Sequence, residues 1–306
     1  MPSPPNSLSV PRRRSLRDTG GKLLTVVVIL GLLALLLADG VRYLGSLVPF
    51  GLERRMALPY AVELPKPNKV AESLNALAEK IAIAQGLPHE IPVQVRLIDQ
   101  KGIQAFATLG GYVVVYQGLL KEIKSEEELA AVLAHEIAHL KHRHPTEALG
   151  RRVNLALLLT MISQDLAYEI ARPSFGSGLM TAPHYTQDHE QAALISAGNT
   201  LGAMYGHLGG MLDLSATLQR LIATSPATPP AMVSAHPGLE RAGSSLQQLT
   251  LEGNWKLDDP GKLRRPLPDW LGIASAGAAA AAPQVVPAVV PVVTPSPVPV
   301  PEAAPK

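Results

Sequence analysis

Ser125-Glu126-Glu127-Glu128-Leu129-Ala130-Ala131-Val132-Leu133-Ala134-His135-Glu136-Ile137-Ala138-His139-Leu140-Lys141 reads as one helix that carries a chemical site. Ser125 and Glu128 form a capping box: the Ser125 hydroxyl accepts the Glu128 N–H, and the Glu128 carboxylate reaches back. The acidic run Glu126-Glu127-Glu128 suits the positive end of the helix dipole. Leu129, Val132, Leu133, Ile137 and Leu140 recur at helical spacing and predict a core-facing stripe. His135 and His139 fall to one side of that stripe, where a cleft is expected. Lys141, His142, Arg143 and His144 crowd the end, and Pro145 is expected to stop the helix.

His135, Glu136 and His139 make the pattern H-E-x-x-H. Residues four apart share a helical face, so the two imidazoles can close on a single metal ion. Glu136 lies one position round, where its carboxylate reaches a water at the metal without binding the metal itself. With 9 His and 16 Glu in 306 residues, a random chain of this composition would contain the pattern with a probability of about one in a hundred. A surface helix with satisfied histidines is the bland alternative, and the helical context argues against it.

Hydrophobic residues make up 47% of the chain and aromatics only 4%, which suits an Ala/Leu-rich, mostly helical protein. A formal net charge of +2, with no Lys/Arg cluster interleaved with aromatics, gives no case for nucleic acid. The absence of cysteine excludes disulfides, cysteine catalysis and thiolate ligands, so a metal must be held by His and carboxylate.

Residues 1–22 are Pro/Ser/Arg-rich and carry Arg12, Arg13, Arg14, Arg17 and Lys22. Leu23 to Ala38 then runs sixteen residues without a charge. That is about 24 Å of helix, enough to cross the bilayer's apolar core if Lys22 snorkels. A transmembrane anchor over 23–40 is expected, and the cationic side places residues 1–22 in the cytoplasm. The expected location is the inner membrane, single-pass, with the catalytic domain on the periplasmic side. A cleaved signal peptide is the rival, given Ala38-Asp39-Gly40 and the faintly twin-arginine Arg13-Arg14-Ser15-Leu16.

Residues 48–255 carry the globular domain. Asn68 is expected to cap a helix through about Gln85, with Val70, Leu74, Leu77, Ile81 and Ala84 on one face and Gly86-Leu87-Pro88 ending it. Val93 to Ile98 and Tyr112 to Tyr116 read as strands, with Gly110-Gly111 as the turn before the second. Helical patterns follow at 151–170, 190–206 and 209–223, with a loop at 172–184. From residue 275 the Ala/Pro/Val-rich composition cannot build a packed core, and a disordered tail is expected over 275–306. The fold class is therefore α+β: a mostly helical domain with a small β-sheet, one N-terminal transmembrane helix and a low-complexity tail.

Two histidines do not hold zinc; a third protein ligand must come from further along, leaving the fourth position for water. Glu147, Glu169, His184, Asp188, His189, Glu190 and His236 are the candidates. Glu190, which opens a later helical run, fits best. Gly at 142 and His at 145 would be needed for the metzincin extension, and His142 and Pro145 stand there instead.

The chain resembles the membrane-associated zinc peptidases of the H-E-x-x-H gluzincin type. These include the CAAX prenyl endopeptidases, the bacterial heat-shock membrane protease and the periplasmic outer-membrane quality-control proteases. The resemblance covers roughly residues 48–245. It rests on Gln104 to Gly111, Val132 to His139, His144-Pro145, Tyr185 to Glu190 and His236-Pro237. It implies a zincin-like fold and one Zn2+ per chain, bound by His135, His139 and Glu190, the last as first residue of the family's Glu-x-x-x-Asp motif. It also implies Glu136 as general base and His236 as a residue beside the metal with a supporting or gating role. Two positions depart from the family. Leu194 stands where the motif's Asp, which orients a zinc histidine, is expected, and Gln187 stands where an Arg is usual.

The function that follows is a zinc-dependent endopeptidase for extended or misfolded envelope polypeptides. Glu136 takes the proton of a water at the metal, and His236, Arg241 or Tyr185 donates to the oxyanion. The polypeptide substrate is expected to pair as an added strand along Ala105, Phe106, Ala107, Thr108 and Leu109, a mode indifferent to side chains. The alternative for these residues is an ordinary core strand. The N-terminal helix makes the membrane a further partner. The alternative function, motivated by Leu194, is a weakly active or inactive member serving as an envelope chaperone or assembly factor.

Overall fold

The computed structural model describes residues 21, 25, 28, 29, 31, 48–61, 68–151, 183–253, 255–259 and 264–267. Its elements are α1 (Phe50–Ala61), α2 (Lys69–Ala84), β1 (Gln94–Ile98), β2 (Ala105–Thr108), a 3-10 turn (Leu109–Gly111), β3 (Tyr112–Tyr116), α3 (Gln117–Glu122) and α4 (Glu126–Lys141). They continue with α5 (Gln187–Tyr205), α6 (Gly209–Thr224), α7 (Ala231–Ala235), a 3-10 turn (Leu239–Arg241) and α8 (Gly243–Gly253). Residues 144–151 are also helical. The basic N-terminus, nearly all of the segment 23–40, most of the patterns at 151–170 and 172–184, and the tail 275–306 lie outside the described residues. Among the described residues no helix is long and apolar enough to cross a membrane.

α4 is the element around which the rest is built. Every residue from Glu127 to Leu140 is buried, packed by α2, α5, α6 and β2. The expected one-sided stripe is therefore corrected to burial all round. Ala130, Ala131, Ala134 and Ala138 interrupt the larger side chains and let neighbours close in on the remaining faces. Ser125 Oγ accepts the Glu128 N–H at 3.1 Å as the capping box predicts. Glu128 itself reaches one residue further back than expected, taking the Lys124 N–H at 2.8 Å and the Thr217 hydroxyl at 2.6 Å. Glu127 accepts the Arg265 N–H at 2.9 Å, so the acidic first turn also anchors the returning chain.

Pro145 does not stop α4. The helix ends at Lys141, and Arg143 takes a left-handed conformation (φ 61°) that turns the chain. Pro145 then lies in the first turn of the helical segment 144–151, where its missing N–H costs nothing.

The three strands run in the order β1-β3-β2, with β1 parallel and β2 antiparallel to the central β3. Val113 pairs with Val95 on one side and Ala107 on the other, and all three side chains are buried. Gly110 and Gly111 supply the positive φ (78° and 83°) that the tight connection before β3 requires, so the predicted strand ends at Thr108 and Leu109 begins the turn.

Asn68 caps α2 through the Ala71 N–H at 2.9 Å. The buried face of α2 is Ala71, Leu74, Ala78 and Ile81, so the expected stripe is rotated and Ala84 is exposed. α5 begins three residues earlier than predicted, because the Thr186 hydroxyl caps it at the His189 N–H. α1, α3, α7 and α8 were not predicted: the polar, Gly- and Pro-interrupted stretches that form them carry no clear period.

α1 is tied to the end of α4 by one buried carboxylate. Glu53 accepts the Gly110 N–H at 2.7 Å, the Thr146 hydroxyl at 2.6 Å and the Arg143 guanidinium at 2.9 Å. Arg143 also donates to the Val48 carbonyl at 2.7 Å. Removing Glu53 leaves a largely buried cation and a buried N–H without their acceptor. Glu53→Ala is expected to lower unfolding free energy by about 3 kcal/mol in denaturant titration. A loss below about 1 kcal/mol would show that the clamp carries little stability.

Candidate metal centre

α4 presents His135 and His139 one helical turn apart, and their Nε2 atoms stand 3.1 Å from each other. α5, packed on α4, brings Glu190 to the same point. Its Oε2 lies 3.3 Å from His135 Nε2 and its Oε1 3.6 Å from His139 Nε2. Ligand atoms at tetrahedral corners about 2.0–2.1 Å from a zinc ion are about 3.3 Å apart. The three donors therefore fit such an ion with little movement. The donor set, two imidazoles and a carboxylate, is also chemically suited to zinc.

His236, the C-cap of α7, completes the group. Its Nδ1 lies 3.2 Å from His135 Nε2 and 3.3 Å from Glu190 Oε1, so it occupies the fourth corner. One ligand atom from each of His135, His139, Glu190 and His236 falls within 4.8 Å of the others, and all four residues are buried. On its other edge His236 Nε2 faces Glu136 Oε1 at 3.2 Å and the Ala105 carbonyl at 3.4 Å. Glu136 is fully buried beside the cluster and is held by the Ala107 N–H, which donates to its Oε2 at 2.8 Å.

The electrostatics follow from that crowding. Burial pushes the Glu190 carboxyl up, but bonds from His135 and His236 outweigh it and hold it down at about 2. Burial pulls His236 down, yet the carboxylates of Glu136 and Glu190 push it up to about 9. A cation among the donors would reverse this, since it repels the same proton. His139 is driven well below its ordinary value by burial and by His135 next to it, so it stays neutral and able to bind a metal.

A family model described as peptidase family M48 matches residues 68–242, over half of the chain and all four of these residues. The chain belongs to peptidase family M48. A beta-barrel assembly-enhancing protease of Yersinia pestis is 28% identical over 185 residues, covering 55% of this chain and 36% of the relative. A protease HtpX homolog of Aeropyrum pernix is 33% identical over 146 residues, covering 46% and 41%. The mitochondrial metalloendopeptidase OMA1 of Schizosaccharomyces pombe is 31% identical over 119 residues, covering 38% and 35%. The chain thus spans less than half the length of these curated relatives.

Among the described third-ligand candidates the structure brings Glu190 and His236 to the H-E-x-x-H pair and leaves Glu147, His184, Asp188 and His189 away. Asp188 and His184 are exposed, His189 pairs with Glu147 at 3.0 Å, and Glu169 lies outside the described residues. Of the proposed oxyanion donors, the Arg241 side chain is 79% exposed beside Glu240, and the Tyr185 hydroxyl donates to the Ala107 carbonyl at 3.1 Å. Sequence reasoning missed two contacts to His139: the Tyr185 ring stacks on it at 3.8 Å, and His144 Nδ1 lies 2.9 Å from its Nδ1. No local pattern marks the first, and for the second only the His144-Pro145 pair was available as a signal.

Leu194 follows Glu190 by one turn and lines, with His135, Glu190, Leu239 and Arg241, a cavity of about 370 Å3. Among the described residues His135 Nδ1 is buried with no hydrogen-bond partner. Leu194, which lines the same cavity, brings no acceptor to it. Leu194→Asp is expected to supply an acceptor there and tighten zinc binding by up to about 10–100-fold in a chelator competition. Unchanged affinity in a protein of unchanged melting temperature would mean that His135 needs no such partner.

Proposed function

We propose that this chain is a zinc-dependent endopeptidase that cleaves extended or misfolded envelope polypeptides. The observation that carries the proposal is a buried carboxylate, Glu136, set beside four converging donor atoms without being one of them. Membership of a peptidase family supports it, as do the protease names of the relatives.

Zinc held by His135, His139 and Glu190 would act as a Lewis acid, lowering the pKa of a water in the open position toward about 7 and polarising the scissile carbonyl. Glu136 accepts the proton that leaves this water and passes it to the departing amine. Its Oε2 is fixed by Ala107, so Oε1 is the atom that carries the proton. His236 fills the fourth corner and faces that same oxygen, so it must swing away before water and substrate enter.

β2 lies at the edge of the sheet, which supports pairing of an extended substrate with Ala105, Phe106, Ala107 and Thr108, while Leu109 belongs to the turn beyond it. The Tyr116 N–H bonds the Gln104 carbonyl, so Ala105 and Ala107 point their backbone groups away from β3. His236, Glu136 and Tyr185 now hold three of those groups, and an incoming strand would have to take them over. The unpartnered His135 Nδ1 favours one second reading, a weakly active or inactive member that binds envelope polypeptides without cleaving them.

Glu136→Gln is expected to lower casein hydrolysis by at least about 100-fold while zinc stays bound, since it removes a proton acceptor and not a ligand. Residual activity above about a tenth of wild type would rule out the general-base role. His139→Ala is expected to lose zinc and the thermal stability that zinc confers by mass action. Wild-type protein that is fully zinc-loaded yet leaves casein intact would favour the binding protein.

The cationic N-terminus and the charge-free run to Ala38 support an inner-membrane anchor over 23–40 with the domain on the periplasmic side. A reporter fused after residue 275 is expected to be active only outside the cytoplasm. A mature N-terminus at Val41 would instead make the segment a signal peptide.

A further inference from the structure

The support that His135 lacks is present at His139, in an unusual form. His139 Nε2 faces Glu190 and His135 Nε2, and its Nδ1 faces His144 Nδ1 at 2.9 Å. A neutral imidazole has one N–H. When Nε2 is given to a metal, the proton of His139 sits on Nδ1, and His144 Nδ1 must be the acceptor. The bond then has one direction and one role, which is to fix the ring of His139.

His144 is itself held. Its ring stacks on His189 at 4.1 Å with 6° between planes, and His189 Nε2 bonds Glu147 Oε2 at 3.0 Å. On another side it lies 5.4 Å from His142, which bonds Ser196 Oγ at 2.8 Å. His189 directly precedes Glu190, so the residue that orients the second histidine also packs against the start of the helix that delivers the third ligand. Arg143 makes this possible: its left-handed turn folds the chain back so that His144 points under α4. Glu53 and the Val48 carbonyl hold Arg143 in that turn.

We propose that His144 is a positioning residue for the metal centre, orienting His139 through Nδ1 and joining the end of α4 to the first turn of α5, in a chain where His135 Nδ1 has no hydrogen-bond partner among the described residues. This rests on the zinc reading of the centre. A neutral imidazole acceptor polarises the ligand less than a carboxylate does, so its effect is geometric more than electronic.

The test uses the full chain in a Glu136→Gln background, so that no turnover intervenes, with zinc affinity read by chelator competition and melting temperature read on metal-free protein. His144→Ala is expected to weaken zinc binding by about 10–100-fold. His144→Asn, whose carboxamide oxygen can stand where Nδ1 stands, is expected to recover most of that loss. His144→Phe, which keeps the stack on His189 but accepts nothing, is expected to remain weak. Equal affinity in His144→Ala and the parent would overturn the proposal, as would recovery by Phe to the level of Asn, which would reduce the role to packing. If His144→Ala fails to fold, the comparison of Asn with Phe at matched melting temperature still decides. Absence of zinc binding in the parent would instead overturn the zinc reading itself.

Discussion

Two carboxylates and several imidazoles are buried together at the centre of this fold, and burying such groups is costly unless each meets a partner. His135, His139, Glu190 and His236 meet one another at hydrogen-bond distance, and Glu136 meets His236 and the Ala107 N–H. The opposed displacements of Glu190 and His236 express the same constraint: His135 and His236 hold the carboxyl down, and Glu136 and Glu190 hold the imidazole up. A divalent cation would satisfy all four donors at once. The surrounding structure can be understood as what is needed to keep these groups together and dry.

α4 has to be buried on every side for that to work, and its composition allows it. Alanines let α2, α5, α6 and β2 approach, while the acidic first turn is consumed by Lys124, Thr217 and the returning segment at Arg265. The other end is fixed by Arg143, whose left-handed turn is held against its own strain by the Glu53 carboxylate and the Val48 carbonyl. α1 thereby reaches both the turn at Gly110 and the chain that presents His144. Ala107 links sheet and site from the other direction, its N–H on Glu136 and its carbonyl on the Tyr185 hydroxyl. Glu136, Tyr185 and the outer edge of β2 are thus parts of one hydrogen-bonded unit.

The helix with H-E-x-x-H, its capping box and the strands at β1 and β3 were legible because each follows from a local rule: period, cap chemistry or β-branched composition. Glu190 was legible as a residue near the start of a later helix, and Leu194 as a departure from a known motif. α1, α3, α7 and α8 were not legible, since tertiary contacts rather than periodic patterns stabilise them. Pro145 was misread because a proline after a helix and a proline opening the next one look alike until the φ of Arg143 is known.

What the sequence determined by itself is the chemistry available: which residues can bind a metal, which can take a proton, and that no cysteine takes part. Spacing along one helix was enough to put His135 and His139 together, because an α-helix carries its own geometry. Tertiary structure alone decided the rest of the centre. It brought Glu190 and His236 to the pair from 55 and 101 residues beyond His135, and turned His189 and Glu147 aside. It also gave His139 Nδ1 to His144, while among the described residues His135 Nδ1 has no hydrogen-bond partner. Those choices depend on how α5 and α7 pack on α4, and packing is set by volumes and buried polar bonds that no local pattern encodes.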